Sequence, residues 1–344
     1  MEKIITTENL MIGYRRRGSG YNGSITKRIN ISTVKGELTA VVGLNGTGKS
    51  TLLRTLAGLQ KQIDGKIFLC GKTILDYSRN DLARTISFVS TEPMLVPYLK
   101  VFDVAAMGRY PHTGRIGRLN MEEKFQVLDA LELVGVRAMA WRNIDTLSDG
   151  ERQRVMIARS LVQDTPIVLF DEPTAYLDIP NKYEILALLK RLAHFQNKTI
   201  IYSTHDLTLA TKTADKIWLI NAAVIHEGAP EDCNIQAAFD DLFSKSNLEY
   251  NRQTGDIIAE TFMRGDMTVF SKNDNRLIKN ALERWGYQCI LNPQNPNENL
   301  PSITIVTKKK EVEITYCFAG EEFLFNSFYE LGLHLRNNPP KAQV

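Results

Sequence analysis

Two carboxylates, a lysine, two serines and a histidine stand in this chain at spacings that suit phosphate chemistry. The stretch Gly43-Leu44-Asn45-Gly46-Thr47-Gly48-Lys49-Ser50-Thr51 satisfies the pattern G-x-x-x-x-G-K-[ST]. Glycines admit backbone dihedrals closed to other residues and bring consecutive N–H groups within reach of phosphate oxygens. A helix that follows points its partial positive end at the same anion. Lys49 adds a full charge for the β- and γ-phosphates, and the Ser50 hydroxyl is a ligand for Mg²⁺. The rival reading is a chance glycine turn before a helix, which the legible strand before and helix after make the weaker one. Ile167-Val168-Leu169-Phe170-Asp171-Glu172 is a continuous apolar run ending in two acids. Asp171 can hold the water shell of Mg²⁺, and Glu172 can orient or deprotonate an attacking water. His205 closes another strand-like run, Thr199 to Thr204; as a neutral imidazole it can bond a γ-phosphate oxygen and the water. Taken alone, His205 divides evenly between a capping role and chemistry.

Leu147-Ser148-Asp149-Gly150-Glu151-Arg152-Gln153 offers a second helix start, a small hydroxyl and a glycine opening an amphipathic run to Val162. By itself this is best read as an ordinary N-cap, Ser148 or Asp149, on a core helix. Two separate anion-binding helix starts can serve one nucleotide only if brought face to face, in practice across a dimer.

The elements that must position these groups follow from the pattern of apolar residues. Leu38 to Val42 reads as a buried strand running into the glycine loop, and Lys49 to Leu59 as the helix after it. Residues 4 to 12 alternate weakly and are expected to form an edge strand ending at Gly13-Tyr14. Tyr14 either caps a hairpin or stacks on an adenine ring, and position alone favours the hairpin. Arg15 to Arg17 with Gly18, Ser19, Gly20 and Gly23 reads as a solvated turn, and Ile25 to Val34 as a strand. Gly65 to Leu69 and Ile86 to Val89 are strand-like, and Val101 to Arg137 carries a helical pattern interrupted by Gly108-Arg109-Tyr110-Pro111-His112. His112, alone in a loop rich in proline and glycine, is assigned packing and no chemistry. The run before Asp171 is apolar at every position, as in a parallel strand buried on both faces, whose charges emerge at the carboxyl edge where ligands bind.

Length and composition bound the rest. At 344 residues the chain is long enough for two domains, and 43% hydrophobic with 24% charged residues is ordinary for a globular protein. A net charge of +3 argues against a nucleic-acid partner. Cys70, Cys233, Cys289 and Cys317 are far apart and read as reduced thiols, neither a disulfide frame nor a zinc site. The start MEKIITTENL lacks the apolar core of a signal peptide, and no window approaches about 18 uninterrupted apolar residues. Any membrane connection is therefore expected to run through a partner.

Taken together, residues 4 to about 255 resemble the ATP-binding cassette family. Gly43 to Thr51 is similar to its Walker A loop, Leu147 to Gln153 to its LSGGQ-type signature with Asp149 in place of the first glycine, and Ile167 to Glu172 to its Walker B strand with the catalytic glutamate. Ala175-Tyr176-Leu177-Asp178 resembles the D-loop, His205 the switch histidine, and Tyr14 falls where the family keeps its adenine-stacking aromatic. The resemblance implies an α/β fold: a P-loop core with a parallel sheet, an antiparallel β subdomain and an inserted helical subdomain at about 95–163. It implies ATP and Mg²⁺ as ligands, the metal held by Ser50 and Asp171. It also implies a homodimer sandwiching two ATPs, with Walker A of one copy facing Leu147, Ser148, Asp149, Gly150 and Glu151 of the other. One position departs from the family. Where a glutamine normally contacts the metal, this chain reads Ser90-Thr91-Glu92-Pro93, so either Thr91 acts there through its hydroxyl or Glu92 reaches in.

Within the family, Met107 to His112 and Gly228-Ala229-Pro230 with Tyr250-Asn251 and Gly255-Asp256 resemble importers of ferric siderophores, haem and cobalamin. Such a subunit works at the cytoplasmic face of the inner membrane with permease subunits, fed by an external binding protein. The alternative is a soluble cassette ATPase, such as an iron–sulfur assembly component, which shares every motif but needs no permease. A DNA-repair or chromosome ATPase would interrupt the cassette with long heptad coils, absent between Leu59 and Leu147. A catalytically dead cassette is disfavoured by the presence of Lys49, Asp171, Glu172 and His205.

Residues 261–344 continue past the usual end of such subunits as a small α/β module. The expectation there is a strand at Met267–Ser271, a helix at Asn275–Trp285 stopped by Gly286, and a strand at Tyr287–Leu291. Paired strands around Ile303 and Ile314, a turn at Lys308-Lys309-Lys310 and a closing helix from Asn326 to Arg336 complete it. The order partly resembles the ligand-sensing tails of some importers, without a visible final strand, and suggests a regulatory or dimerising part.

Overall fold

The computed structural model describes residues 2–15, 22–90, 98–113, 118–221, 223–243, 247–252, 255, 257–259, 263–271, 276–294, 300–308 and 311–340. The chain divides into two compact units, Met1–Ile257 and Ile258–Val344.

The first unit is built on a six-stranded sheet in the order Val224–Gly228, Lys216–Asn221, Leu38–Val42, Thr199–Thr204, Ile167–Phe170, Ile86–Val89. All pairs are parallel except the first, where Val224–Gly228 returns antiparallel on Lys216–Asn221. The three central strands are apolar because both faces are covered. Successive side chains point to opposite sides, so Leu38, Ala40, Val42, Val168, Phe170, Ile200 and Tyr202 pack on one face against the long helices. Val41, Ile167, Leu169 and Ile201 pack on the other, against Leu52, Leu53 and Leu56 of the Lys49–Leu56 helix. That second face also carries a four-stranded antiparallel sheet in the order Ser32–Val34, Lys3–Met11, Asp64–Leu69, Lys72–Thr73.

Three sequence expectations need correction here. The first strand is not an edge: Lys3–Met11 is paired on both sides, with Ser32–Val34 and with Asp64–Leu69. The strand expected over Ile25–Val34 shrinks to Ser32–Val34. In the remainder an isolated bridge between Leu10 and Ile29 survives, and side chains interrupt the ladder around it, where Ile12 N–H donates to Thr26 Oγ1, Asn9 N–H to Asn30 Oδ1, and Ile31 N–H to Thr7 Oγ1. The loop helix ends at Leu56, before Leu59, because Gly58 adopts a φ of 71° and turns the chain out.

Helices fill the insertion. Val101–Ala106, a short turn at Met107–Arg109 and Met121–Leu133 pack against Asp149–Val162. Gly108 is required by contact: a Cβ there would lie 2.2 Å from the Arg159 carbonyl oxygen. His112 Nε2 meets the Gln163 carbonyl at 2.9 Å and Arg109 Nη1 donates to the Val162 carbonyl at 3.3 Å. The Gly108–His112 run therefore grips the carboxyl end of the signature helix, and His112 is a packing residue as expected.

The second unit is a five-stranded sheet in the order Tyr287–Leu291, Gly265–Ser271, Ser302–Lys308, Glu311–Phe318, Glu321–Phe325. The first three strands are parallel and the last two pairings antiparallel. Helix Arg276–Trp285 makes the crossover from Gly265–Ser271 to its parallel neighbour Tyr287–Leu291, and Phe328–Asn337 is the last helix. Its core is its own: Met267, Val269, Ile278, Leu282, Tyr287, Ile303, Ile314, Tyr316, Leu331 and Leu335. The sequence reading missed the strand Glu321–Phe325, whose burial is only partial and whose alternation is masked by two leading glutamates. Lys309 and Lys310 of the expected turn lie outside the described residues.

Leu169 is fully buried beneath the glycine-loop helix, one residue before the end of the strand that delivers Asp171. Leu169→Ala should lower stability by about 2–5 kcal/mol, read from equilibrium urea unfolding of the full chain; a change below half a kcal/mol would contradict this packing.

Candidate functional site

Register brings the chemistry to one edge. Thr204 lies beside Val42 and Tyr202 beside Phe170 in parallel pairing, so the glycine loop, Asp171-Glu172 and His205 all emerge at the carboxyl ends of adjacent strands. The loop turns through Thr47, whose hydroxyl donates to the Leu44 carbonyl at 2.8 Å, and leaves Leu44, Asn45 and Gly46 exposed. Gly48 caps the helix in a left-handed conformation, φ 100°, and a Cβ there would also meet Ile25 Cγ2 at 2.6 Å. No other residue meets both demands.

Lys49 is buried and its ammonium donates to the Gly43 and Leu44 carbonyls at 2.9 and 3.1 Å, lying across the loop it belongs to. Burial holds its pKa below the ordinary lysine value, against the opposing pull of Glu172 and then Asp171. The site therefore holds a cation that is short of negative charge, which an anion in the loop would supply.

Asp171 is the hub. Its Oδ1 accepts from Ser50 Oγ at 2.9 Å and from Ser203 Oγ at 2.7 Å, and its own N–H donates to the Val89 carbonyl at 2.9 Å. Ser203 then receives the Glu172 N–H at 2.8 Å. Glu172 adopts a left-handed backbone, φ 47°, an unusual conformation for a side-chain-bearing residue and one that clusters at functional sites. Its Oε1 lies 3.9 Å from Lys49 Nζ and 3.7 Å from His205 Nδ1. The expected group of Lys49, Ser50, Asp171, Glu172 and His205 is thus assembled within one chain. Ser50 and Asp171 offer adjacent hard oxygens, a donor set that fits Mg²⁺. Thr91 and Glu92 lie outside the described residues, which stop at Ser90 on this strand.

Tyr14 joins both of its readings. It stands in a short hairpin, Gly13–Arg15 with Asn22–Ser24, yet its ring is 60% exposed and its hydroxyl lies 3.2 Å from Thr51 Oγ1. An exposed aromatic face beside the loop helix is a platform for a base.

The second helix start is a capping box. Glu151 N–H donates to Ser148 Oγ, while Ser148 N–H and Oγ donate to Glu151 Oε2 at 2.8 and 2.9 Å. Those bonds hold the Glu151 carboxyl below its usual pKa, the backbone bond from Ser148 first and its hydroxyl next. Leu147 is buried, and Asp149 pairs with Arg152. The polar partners of Ser148 lie within its own helix turn, so the glycine loop of the same chain does not engage it. Asp178 caps the Ile179–Gln196 helix and holds Asn181, whose amide donates to Asp178 Oδ1 at 2.6 Å. Asn181 Oδ1 in turn closes on Gly150, 3.1 Å from where a Cβ would stand. Asn181 is therefore bonded to Asp178 and packed against the backbone at Gly150.

Sequence reasoning assigned no role to Ser203 or Asn181. Ser203 had a signal: it is a hydroxyl in a fully buried strand, two positions before the histidine. Removing its hydroxyl takes one donor from Asp171 and the acceptor of the Glu172 amide. Ser203→Ala should cost roughly 1–3 kcal/mol in stability and lower the ATPase kcat at least tenfold while nucleotide affinity stays within threefold. Steady-state kinetics with equilibrium nucleotide titration would decide, and an unchanged kcat would exclude the positioning role.

The ABC transporter family model matches residues 26–175. An ABC transporter ATP-binding protein of Methanocaldococcus jannaschii is 37% identical over 253 residues, 73% of this chain and 85% of that protein. The iron(3+)-hydroxamate import ATP-binding protein FhuC of Bacillus subtilis is 40% identical over 225 residues, 65% of this chain and 81% of its own length. Among solved structures, a metal-chelate type ABC transporter in an inward-facing conformation superposes with a TM-score of 0.61 at 28% identity, covering 74% of this chain and 95% of that one.

Proposed function

This chain belongs to the ABC transporter family, and on that footing we propose that it is the ATP-hydrolysing subunit of an importer for an iron chelate, haem or a corrinoid. The observation that carries the ATPase is the clustering of Lys49, Ser50, Asp171, Glu172 and His205 at one sheet edge. The cargo class is supported by relatives named for iron(3+)-hydroxamate, petrobactin, ferric enterobactin and cobalamin import. Those names favour a transport engine over a soluble cassette ATPase.

In this reading the glycine loop takes the β- and γ-phosphates of ATP on its backbone N–H groups and on Lys49, which turns from the Gly43 and Leu44 carbonyls to the anion. Tyr14 stacks on the adenine. Ser50 and Asp171 would hold Mg²⁺, which when bound neutralises charge on the phosphates. Ser203 fixes Asp171 and the Glu172 backbone in one bond chain, leaving the Glu172 carboxylate to accept the proton of the attacking water. His205, beside Glu172, bonds the γ-phosphate. The second wall of each site comes from Ser148 and Gly150 of another copy, so the working unit is a head-to-tail dimer that closes on ATP and reopens after hydrolysis.

Among the described residues no helix is long and apolar enough to cross a membrane. The proposal accordingly sets the subunit on permease partners at the cytoplasmic face, with an external binding protein delivering cargo. The unit Ile258–Val344 is assigned a regulatory or dimerising part.

Glu172→Gln removes the proton acceptor and leaves the phosphate cradle intact. It should retain ATP affinity, cut turnover by roughly 10²–10⁴-fold, and accumulate as an ATP-bound dimer in light scattering. Turnover at the wild-type rate would refute the base assignment. Reconstitution with the cognate permease, reading uptake of labelled ferric hydroxamate, haem and cobalamin, tests the cargo class; stimulation by none of them would refute it.

A further inference from the structure

The carboxyl-terminal unit contains a cavity of about 470 Å³ that the ATPase chemistry does not use. That size falls within the roughly 300–1,000 Å³ of small-molecule pockets. Its lining is of two kinds. Trp285, Phe328 and Tyr329 supply aromatic surface, and Arg264, Arg284 and Arg336 supply three guanidinium groups, with no carboxylate in the wall. Among the described residues none of these arginines is paired with an acid. The acids nearest Arg284 and Arg336 in sequence are engaged elsewhere: Glu283 faces Lys279, and Glu330 takes the Asn326 N–H.

Two features show that the cavity is built. Gly332 lets the indole lie flat on the closing helix, since a Cβ there would come within 2.7 Å of Trp285 Cζ2 and 2.8 Å of Cε2. The Arg284 guanidinium stands 5.9 Å from the centroid of the same ring, so charge and flat surface are presented together. Tyr287, which also lines the cavity, is 1% exposed, and among the described residues its hydroxyl has no hydrogen-bond partner. A buried donor without an acceptor is costly unless a ligand supplies one.

We propose that this cavity binds a planar aromatic anion, its ring held among Trp285, Phe328 and Tyr329 and its oxyanion among the three arginines. Guanidinium forks match carboxylate and phosphate oxygens equally, so the headgroup is an oxyanion of either kind. The proposal stands on the second unit alone and does not depend on what is transported.

Isothermal titration calorimetry of the full chain, with ADP saturating the nucleotide site, tests both halves. The probes are 2-naphthoate and 2-naphthyl phosphate, with 2-naphthalenemethanol as the uncharged flat analogue and cyclohexanecarboxylate as the charged non-aromatic one. At least one naphthyl anion should bind with one-to-one stoichiometry, and both controls at least tenfold more weakly. The headgroup that binds tighter identifies carboxylate or phosphate as the natural partner. Arg284→Gln and Arg336→Gln, both at exposed positions, should each weaken binding about tenfold with unchanged circular dichroism. Absence of saturable binding by either naphthyl anion, equal binding of the uncharged analogue, or indifference to both substitutions would overturn the proposal.

Discussion

One carboxylate oxygen holds this active edge together. Asp171 Oδ1 accepts hydroxyls from Ser50, at the start of the loop helix, and from Ser203, at the end of the neighbouring strand. Three segments far apart in sequence are thereby pinned at a single atom, in a place where Asp171 is only 4% exposed. A buried charge of this kind is tolerable only when donors surround it. The sheet can supply them because parallel pairing ends all three strands at the same edge. Metal binding at this point would exchange one donor set for another on a carboxylate already fixed in place.

The scaffold behind that atom is dry on both faces. Alternate residues of the central strands feed two separate cores, one under the long helices and one under the loop helix and the antiparallel sheet. Such a strand has no free side on which to slip, since a shift of one residue would send each side chain into the wrong core. Precision at the edge is thus a product of burial some distance below it. Glu172 shows the use made of this rigidity, because its left-handed backbone persists only where the surroundings over-determine it.

Much of the catalytic edge was legible in the sequence, for a physical reason. Phosphate binding needs particular residue types at fixed spacing along one segment, so Gly43 to Thr51 and Asp171-Glu172 announce themselves locally. Strand Ile167–Phe170 was equally plain, being apolar throughout. What escaped depends on tertiary partners. Ser203 acts across a strand pair, and Asn181 acts through space on Gly150. The segment Ile25–Ile31 looked like a strand, but its backbone bonds to Leu10 and Ile12 are intermittent, and the side chains of Thr7, Thr26 and Asn30 take the bonds between. The strand Glu321–Phe325 was hidden by charged residues on its exposed positions. In the second unit the lining of the cavity is contributed by both helices, which no linear pattern reveals.

The helix Asp149–Val162 is held at both of its ends. Ser148 and Glu151 lock its first turn, while Arg109 and His112 clasp the carbonyls of Val162 and Gln163 at its last, and Gly108 allows the clasp to sit directly against the backbone. Fourteen residues of α-helix span about 21 Å and resist compression along the axis. A load applied at the far end of this strut reaches Ser148 as displacement, undiminished by bending. Whatever leans on the Gly108–His112 corner therefore has a direct mechanical hold on Ser148.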